Sequence, residues 1–151
     1  MNTFTSPPEK NTEYTEQARS SRNISDEIHD LSHEVIGACI EVQQNLGPGL
    51  LESAYVNAMS LELQAIGIKF VREYAINAQY KGHPLGVAYR ADFLIENQII
   101  VETKAVQDLT DEHRAQLLTY LRLSDLRFGL LINFHAMPLA KTGVRRVLNG
   151  Y

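Results

Sequence analysis

The chain has 151 residues, 44% hydrophobic and 21% charged, with 18 acidic against 14 basic side chains. That length suits one domain, and so ordinary a composition excludes a collagen-like, coiled-coil or wholly disordered chain. Its net charge of −4 gives no global sign of nucleic-acid binding, which usually brings a basic balance. No apolar run approaches the roughly 18–20 residues that span a membrane, and the N-terminal MNTFTSPPEKNTEYTEQ has no basic-then-apolar leader. One cysteine, Cys39, excludes a disulfide framework or a Cys-based zinc or iron–sulfur site within this chain. The expectation is a soluble, cytoplasmic protein without membrane contact.

Residues 1–23 balance three acids with three bases, carry Pro7-Pro8 and hold almost no large aliphatics. Too little apolar surface is available there to offset chain entropy. A disordered tail is expected over 1–23, leaving a single domain over 24–151. Residues 24–66 then hold seven acids and no Lys or Arg, whereas 127–151 hold four bases and no acid. A folded chain with this gradient can present a basic edge despite its acidic total.

Ile28, Leu31, Val35, Cys39, Val42 and Leu46 step by three and four, which predicts an amphipathic helix with Ser25 as N-cap. Gly47-Pro48-Gly49 ends it, and a second helix is expected from Leu50 to about Ile66, stopped by Gly67. The period then shortens to two. Ile68–Tyr74 and Ile76–Tyr80 read as strand, Lys81–Pro84 as a turn, and Leu85–Ile95 and Ile99–Lys104 as two further strands. A third helix is expected over 110–124 with Thr110 as N-cap, then a central strand Arg127–Phe134 and an edge strand Val144–Leu148. The order predicts an α/β fold, a mixed sheet flanked by helices and preceded by an N-terminal helix pair.

Asp92, Glu102 and Lys104 stand out because they interrupt strands otherwise made of Phe, Leu, Ile and Val. Side chains alternate faces along a strand, so the turn decides whether the two carboxylates meet. A two-residue turn would pair Asp92 with Thr103, and a three-residue turn, Glu96–Gln98, pairs Asp92 with Glu102. The odd register collects Ala91, Phe93, Ile95, Ile99, Val101 and Thr103 on one coherent apolar face and is preferred. Carboxylates opposed in this way repel unless a cation or proton lies between them. Oxygen ligands with open positions suit Mg²⁺ or Mn²⁺, and an adjacent lysine can orient water or neutralise charge on a phosphate. The pattern alone also admits a solvated charge network on a hairpin face.

Further segments form a set: LGPGLLESAY with G-x-x-E-x-x-Y at Gly49–Tyr55, YKG at Tyr80–Gly82, YRADFLIE at Tyr89–Glu96, IIVETKA at Ile99–Ala105, AQLLTYL at Ala115–Leu121 and GLLINF at Gly129–Phe134. In this order, over roughly 25–149, they resemble the GxxExxY protein family of the PD-(D/E)XK nuclease-like superfamily. The resemblance implies a restriction-endonuclease-like core and a Mg²⁺- or Mn²⁺-dependent nuclease acting on DNA, less readily on RNA. It also implies that Asp92 and Glu102 are metal ligands, Lys104 the catalytic lysine and Glu52 an accessory acid. Gln116 and Tyr120 resemble the Q-x-x-x-Y element of RecB-type nucleases, and their spacing puts both on one helix face. Gln43 stands where the family has His, Glu73 where it has Gln, and Ala91 where it has Pro. The alternative is a catalytically inactive module that keeps the nuclease fold for binding or as an accessory subunit, with a homodimer left open.

Several other residues have plainer readings. Glu52 and Tyr55, taken alone, suit a first-turn carboxylate and a packing tyrosine. His29 and His33 at i, i+4 suit a solvated helix face, since no third zinc ligand accompanies them. His113 suits either a first-turn helix residue or a phosphate contact. Cys39 lies on the apolar stripe, and Lys141, Arg145 and Arg146 suit a solvated edge-strand rim.

Overall fold

The computed structural model describes the backbone of residues 12–150, with side chains from Ser25 to Gly150. Helix α1 runs from Thr12 to Leu46 and α2 from Glu52 to Ala65. Strands β1 (Phe70–Tyr80), β2 (His83–Ile95) and β3 (Ile99–Lys104) follow, then α3 (Asp111–Ser124), β4 (Phe128–Asn133), a short α4 (Leu139–Thr142) and β5 (Val144–Leu148). The fold is α/β, with the expected helix pair ahead of a five-stranded mixed sheet of order β1-β2-β3-β4-β5. Only β3 and β4 run parallel, which requires the crossover that α3 supplies.

Ser25 is a mid-helix residue rather than an N-cap, because α1 already begins at Thr12. No Gly or Pro interrupts residues 12–36, and the Glu, Gln, Ala and Arg upstream of Ser25 are good helix formers. Of the tail expected over 1–23, residues 1–11 lie outside the described residues. The two stretches expected before the turn are one continuous strand, β1. A two-residue turn follows, and Lys81 and Gly82 both take positive φ, as the hairpin twist demands.

Each face of the sheet has its own core. On one, Phe93, Ile95, Ile99, Val101, Leu130 and Ile132 pack under α1 and α2, against Val35, Cys39, Val42, Tyr55, Met59 and Leu63. On the other, Leu94, Ile100 and Leu131 pack under α3, against Leu117, Tyr120 and Leu121. Cys39 is fully buried against the Met59 sulfur, and burial pushes its thiol up to about 12.

The LGPG turn and the segment after β4 are pinned to this core by two side chains. Tyr55 is buried and stacks on Phe134 with centroids 4.7 Å apart. Its hydroxyl donates to the Gly47 carbonyl and accepts from the Leu50 N–H, closing the turn between α1 and α2. Gln43 is also buried. Its amide donates to the Phe134 and Ala136 carbonyls and accepts from the Leu139 N–H. Gln43 therefore holds the loop leading into α4.

Candidate functional site

The β2–β3 hairpin adopts the odd register. Phe93, Leu94 and Ile95 face Val101, Ile100 and Ile99, leaving Glu96, Asn97 and Gln98 as the turn. Glu96 and Asn97 take left-handed φ values of 49° and 57°. Asparagine tolerates that region well, which helps to fix the three-residue turn. Phe93, Ile95, Ile99 and Val101 share the α1/α2 face as the alternation predicts.

Ala91 departs from that alternation: it packs with Leu94 and Ile100 on the α3 face. The cause lies in the neighbouring strand. The β1–β2 ladder skips the position where Glu73 would meet Asp92, and Glu73 has a φ of 50°. Arg72 before the break lies over the Phe93 ring, whereas Tyr74 after it packs on the α3 side. Both strands thus change faces at Glu73 and Asp92, without losing register.

Beyond Phe93 and Val101 the β2–β3 ladder also opens. The Asp92 N–H donates to Glu102 Oε1 at 2.8 Å, and the Thr103 N–H donates to Asp92 Oδ2 at 2.8 Å. Each carboxylate therefore sits on the other strand's backbone in place of a ladder carbonyl. Like-charge repulsion explains why the carboxylates turn onto N–H donors instead of each other. The result orients both groups and leaves Asp92 Oδ1 and Glu102 Oε2 without a backbone partner.

Three elements bring further groups to this opening. Glu52, the first residue of α2, lies 3.4 Å from Thr103 Oγ1, and that hydroxyl donates to Asp92 Oδ2 at 2.7 Å. Lys104, next but one along β3, places Nζ 3.9 Å from Glu102 Oε2 and 3.4 Å from Gln116 Oε1 of α3. Tyr120, one turn beyond Gln116, is buried, and its ring lies 5.1 Å from that of Tyr89 on β2. A recess of about 220 Å³ opens on the α2 side, lined by Glu52, Ser53, Val56, Arg72, Glu73 and Asp92. All six residues singled out in the sequence, Glu52, Asp92, Glu102, Lys104, Gln116 and Tyr120, thus gather around one point of the sheet.

The electrostatics of the group are strained by excess negative charge. Burial, and next the Asp92 carboxylate, push the Glu102 carboxyl up to about 7, although the Asp92 N–H and Lys104 oppose the rise. Glu52 is raised for the same two reasons, with Lys104 and Thr103 pulling it down. Tyr120 is pushed up to about 12 by burial and then by Glu102, so its phenol keeps its proton at neutral pH. Three carboxylates share the one lysine, an excess of negative charge that a cation would offset.

Among the described residues, no group of three or more His, Cys, Asp or Glu side chains forms a ready metal cage. The donor set still fits a hydrated divalent ion. Mg²⁺ commonly takes one or two carboxylates and keeps several waters, and Asp92 Oδ1 and Glu102 Oε2 are two oxygens that no backbone N–H holds. Backbone hydrogen bonds that orient a ligating carboxylate are part of such sites.

The remaining candidates lie elsewhere. His113 closes a capping box: its Nδ1 accepts from the Thr110 N–H, and its own N–H donates to Thr110 Oγ1. His29 and His33 are exposed on α1, edge to face at 4.5 Å. Lys141, Arg145 and Arg146 are exposed on α4 and β5, at the opposite edge of the sheet from β1. Sequence reasoning missed Thr103, which links Glu52 to Asp92. It also missed Arg72, whose guanidinium donates to Ser60 Oγ at 2.8 Å beside the recess. Thr103 could have been found from its place between Glu102 and Lys104. Arg72 could not, because the face change at Glu73 has no local sequence signal.

No described helix is long and apolar enough to cross a membrane. No curated protein and no solved structure matches the chain. A family model described as the PD-(D/E)XK nuclease superfamily matches residues 29–147, from the middle of α1 to β5. That match contains the whole acidic hairpin and both helices that face it, and the chain belongs to the PD-(D/E)XK nuclease superfamily.

Proposed function

We propose that this chain is a Mg²⁺-dependent nuclease of the GxxExxY protein family that hydrolyses phosphodiester bonds in DNA, with RNA the less favoured substrate. The observation that carries the reading is the opened β2–β3 ladder. Asp92 and Glu102 are each fixed there by a backbone N–H, with Glu52 and Lys104 at the same opening. Buried carboxylates that repel one another are costly in a fold unless a bound cation repays them. Mn²⁺ satisfies the same oxygen donors.

Asp92 and Glu102 would hold the ion, through the oxygens that their partner strand's N–H groups leave free, and Glu52 from α2 would add negative charge beside them. When bound, the ion neutralises these groups and polarises the phosphate. Lys104 positions water and supplies positive charge beside Glu102, held to one side by the Gln116 carbonyl. Charge placed where the transition state becomes more negative lowers the barrier most effectively. Tyr120 remains a neutral phenol and can donate a hydrogen bond without adding charge.

A metal titration tests this reading. Mg²⁺ or Mn²⁺ should raise the melting temperature of the wild-type chain, but not of Asp92→Asn or Glu102→Gln. No metal effect on the wild type, together with no nicking of any DNA form, would leave a non-catalytic module on a nuclease fold.

A further inference from the structure

The β1–β2 hairpin beyond Ile76, the last buried residue of β1, leaves the body of the domain. Every residue from Gln79 to Arg90 is exposed, including Tyr80 at 60%, Leu85 at 63%, Val87 at 50% and Tyr89 at 41%. From Ala91 to His83 the arm extends roughly 25 Å at about 3.3 Å per residue. An exposed apolar patch on a folded domain marks an interaction surface, and the charge of this one selects its partner. Between Tyr74 and Ala91 there is no Asp or Glu, while Lys81, His83 and Arg90 are present. Like residues 127–151, this stretch departs from the acidic balance of the whole chain.

The arm carries an aromatic ring at each end, one of them beside the site. Tyr89, at the base of the arm, lies against Tyr120 beside the carboxylates. Tyr80, at the tip, carries the Lys81 ammonium 5.4 Å from its ring centroid. Alternating cations and exposed aromatic faces suit an unpaired nucleic-acid strand, whose bases stack on the rings while its phosphates meet the cations. A duplex keeps its bases stacked on one another and offers the rings nothing to cover.

We infer that the arm Asn77–Arg90 binds an unpaired DNA strand and leads it to the Asp92–Glu102 opening, making single-stranded DNA the preferred substrate. The inference rests on the nuclease reading for its destination, but binding to the arm can be measured without cleavage. Fluorescence anisotropy of labelled single-stranded DNA, duplex DNA and single-stranded RNA, titrated with full-length Asp92→Asn protein in Mg²⁺, reads it directly.

Single-stranded DNA should bind at least about tenfold more tightly than duplex. Adding Tyr80→Ala should weaken single-strand binding by about 5- to 150-fold, the range for losing one stacked base. Tyr80→Phe should retain that binding, because the ring is kept. Tighter binding of duplex, or a Tyr80→Ala protein that binds single strands normally, would overturn the inference. Tighter binding of RNA would overturn the assignment to DNA. Self-association that Tyr80→Ala abolishes, without any DNA binding, would assign the arm to a second copy of the chain instead. If the Tyr80 effect holds but the wild-type protein leaves single strands intact in Mg²⁺ and Mn²⁺, the nuclease reading falls and the arm assignment stands.

Discussion

Glu102→Gln is expected to make the metal-free protein more stable while abolishing its response to metal. A carboxyl that ordinarily titrates at 4.5 and is pushed up to about 7 favours the protonated form in the folded state. Its contribution is therefore fully present below pH 4.5 and is lost as the pH rises through 7. At ~1.36 kcal/mol per pH unit, the ionised group costs the metal-free fold about 3 kcal/mol by pH 8. Glutamine keeps the oxygen that accepts from the Asp92 N–H and removes the charge. For a chain of this size about 3 kcal/mol corresponds to roughly 6–12 °C in melting temperature. Calorimetric melts in EDTA at pH 8 and pH 5 provide the assay. The variant should melt higher than wild type at pH 8 and within about 3 °C of it at pH 5. In millimolar Mg²⁺ at pH 8 the gap should narrow or reverse, since only the wild type gains from the ion. A variant that melts lower than wild type at pH 8 in EDTA would refute the assignment of Glu102 as a strained, cation-ready carboxylate.

Three further outcomes follow from the same geometry. Lys104→Met should reduce cleavage by about 10²–10⁴-fold in a gel-based nuclease assay while leaving the Mg²⁺-induced rise in melting temperature in place, because Lys104 is not a ligand. Gln43→Leu removes the partners of two carbonyls and one N–H in the loop before α4. Denaturant unfolding should show a loss of about 2–4 kcal/mol. Tyr55→Phe deletes the bridge between Gly47 and Leu50 but keeps the stack on Phe134. It should cost about 1–2 kcal/mol by the same measurement.

The hairpin at the centre of the site was legible because its information is local. Apolar alternation on both sides of Glu96–Gln98 distinguishes the odd register from the even one, and a slip by one residue would exchange the two faces. Thr110, the N-cap expected of the third helix, likewise caps α3. What escaped reading depends on the neighbouring chain. The left-handed Glu73 turns Ala91 to the opposite face, and nothing near Ala91 announces it. The interlocked carboxylates are a tertiary solution to repulsion: a sequence shows that Asp92 and Glu102 meet, but not that each takes the other's backbone N–H. Gln43 and Tyr55 hold loops through hydrogen bonds to residues distant in the sequence or across the turn, which no local pattern announces. The start of α1 escaped because a polar, charge-balanced stretch of good helix formers suits a tail and a helix equally well.

Under the proposed function, the Asp92–Glu102 opening cuts phosphodiester bonds with a divalent ion. The most direct test is cleavage of end-labelled single-stranded and duplex DNA by the wild-type chain and by Asp92→Asn, each in Mg²⁺, Mn²⁺ and EDTA. The wild type should cleave in either metal and not in EDTA, and the variant should lose at least about 10²-fold. Equal cleavage by wild type and variant, or cleavage that persists in EDTA, would contradict the proposed function.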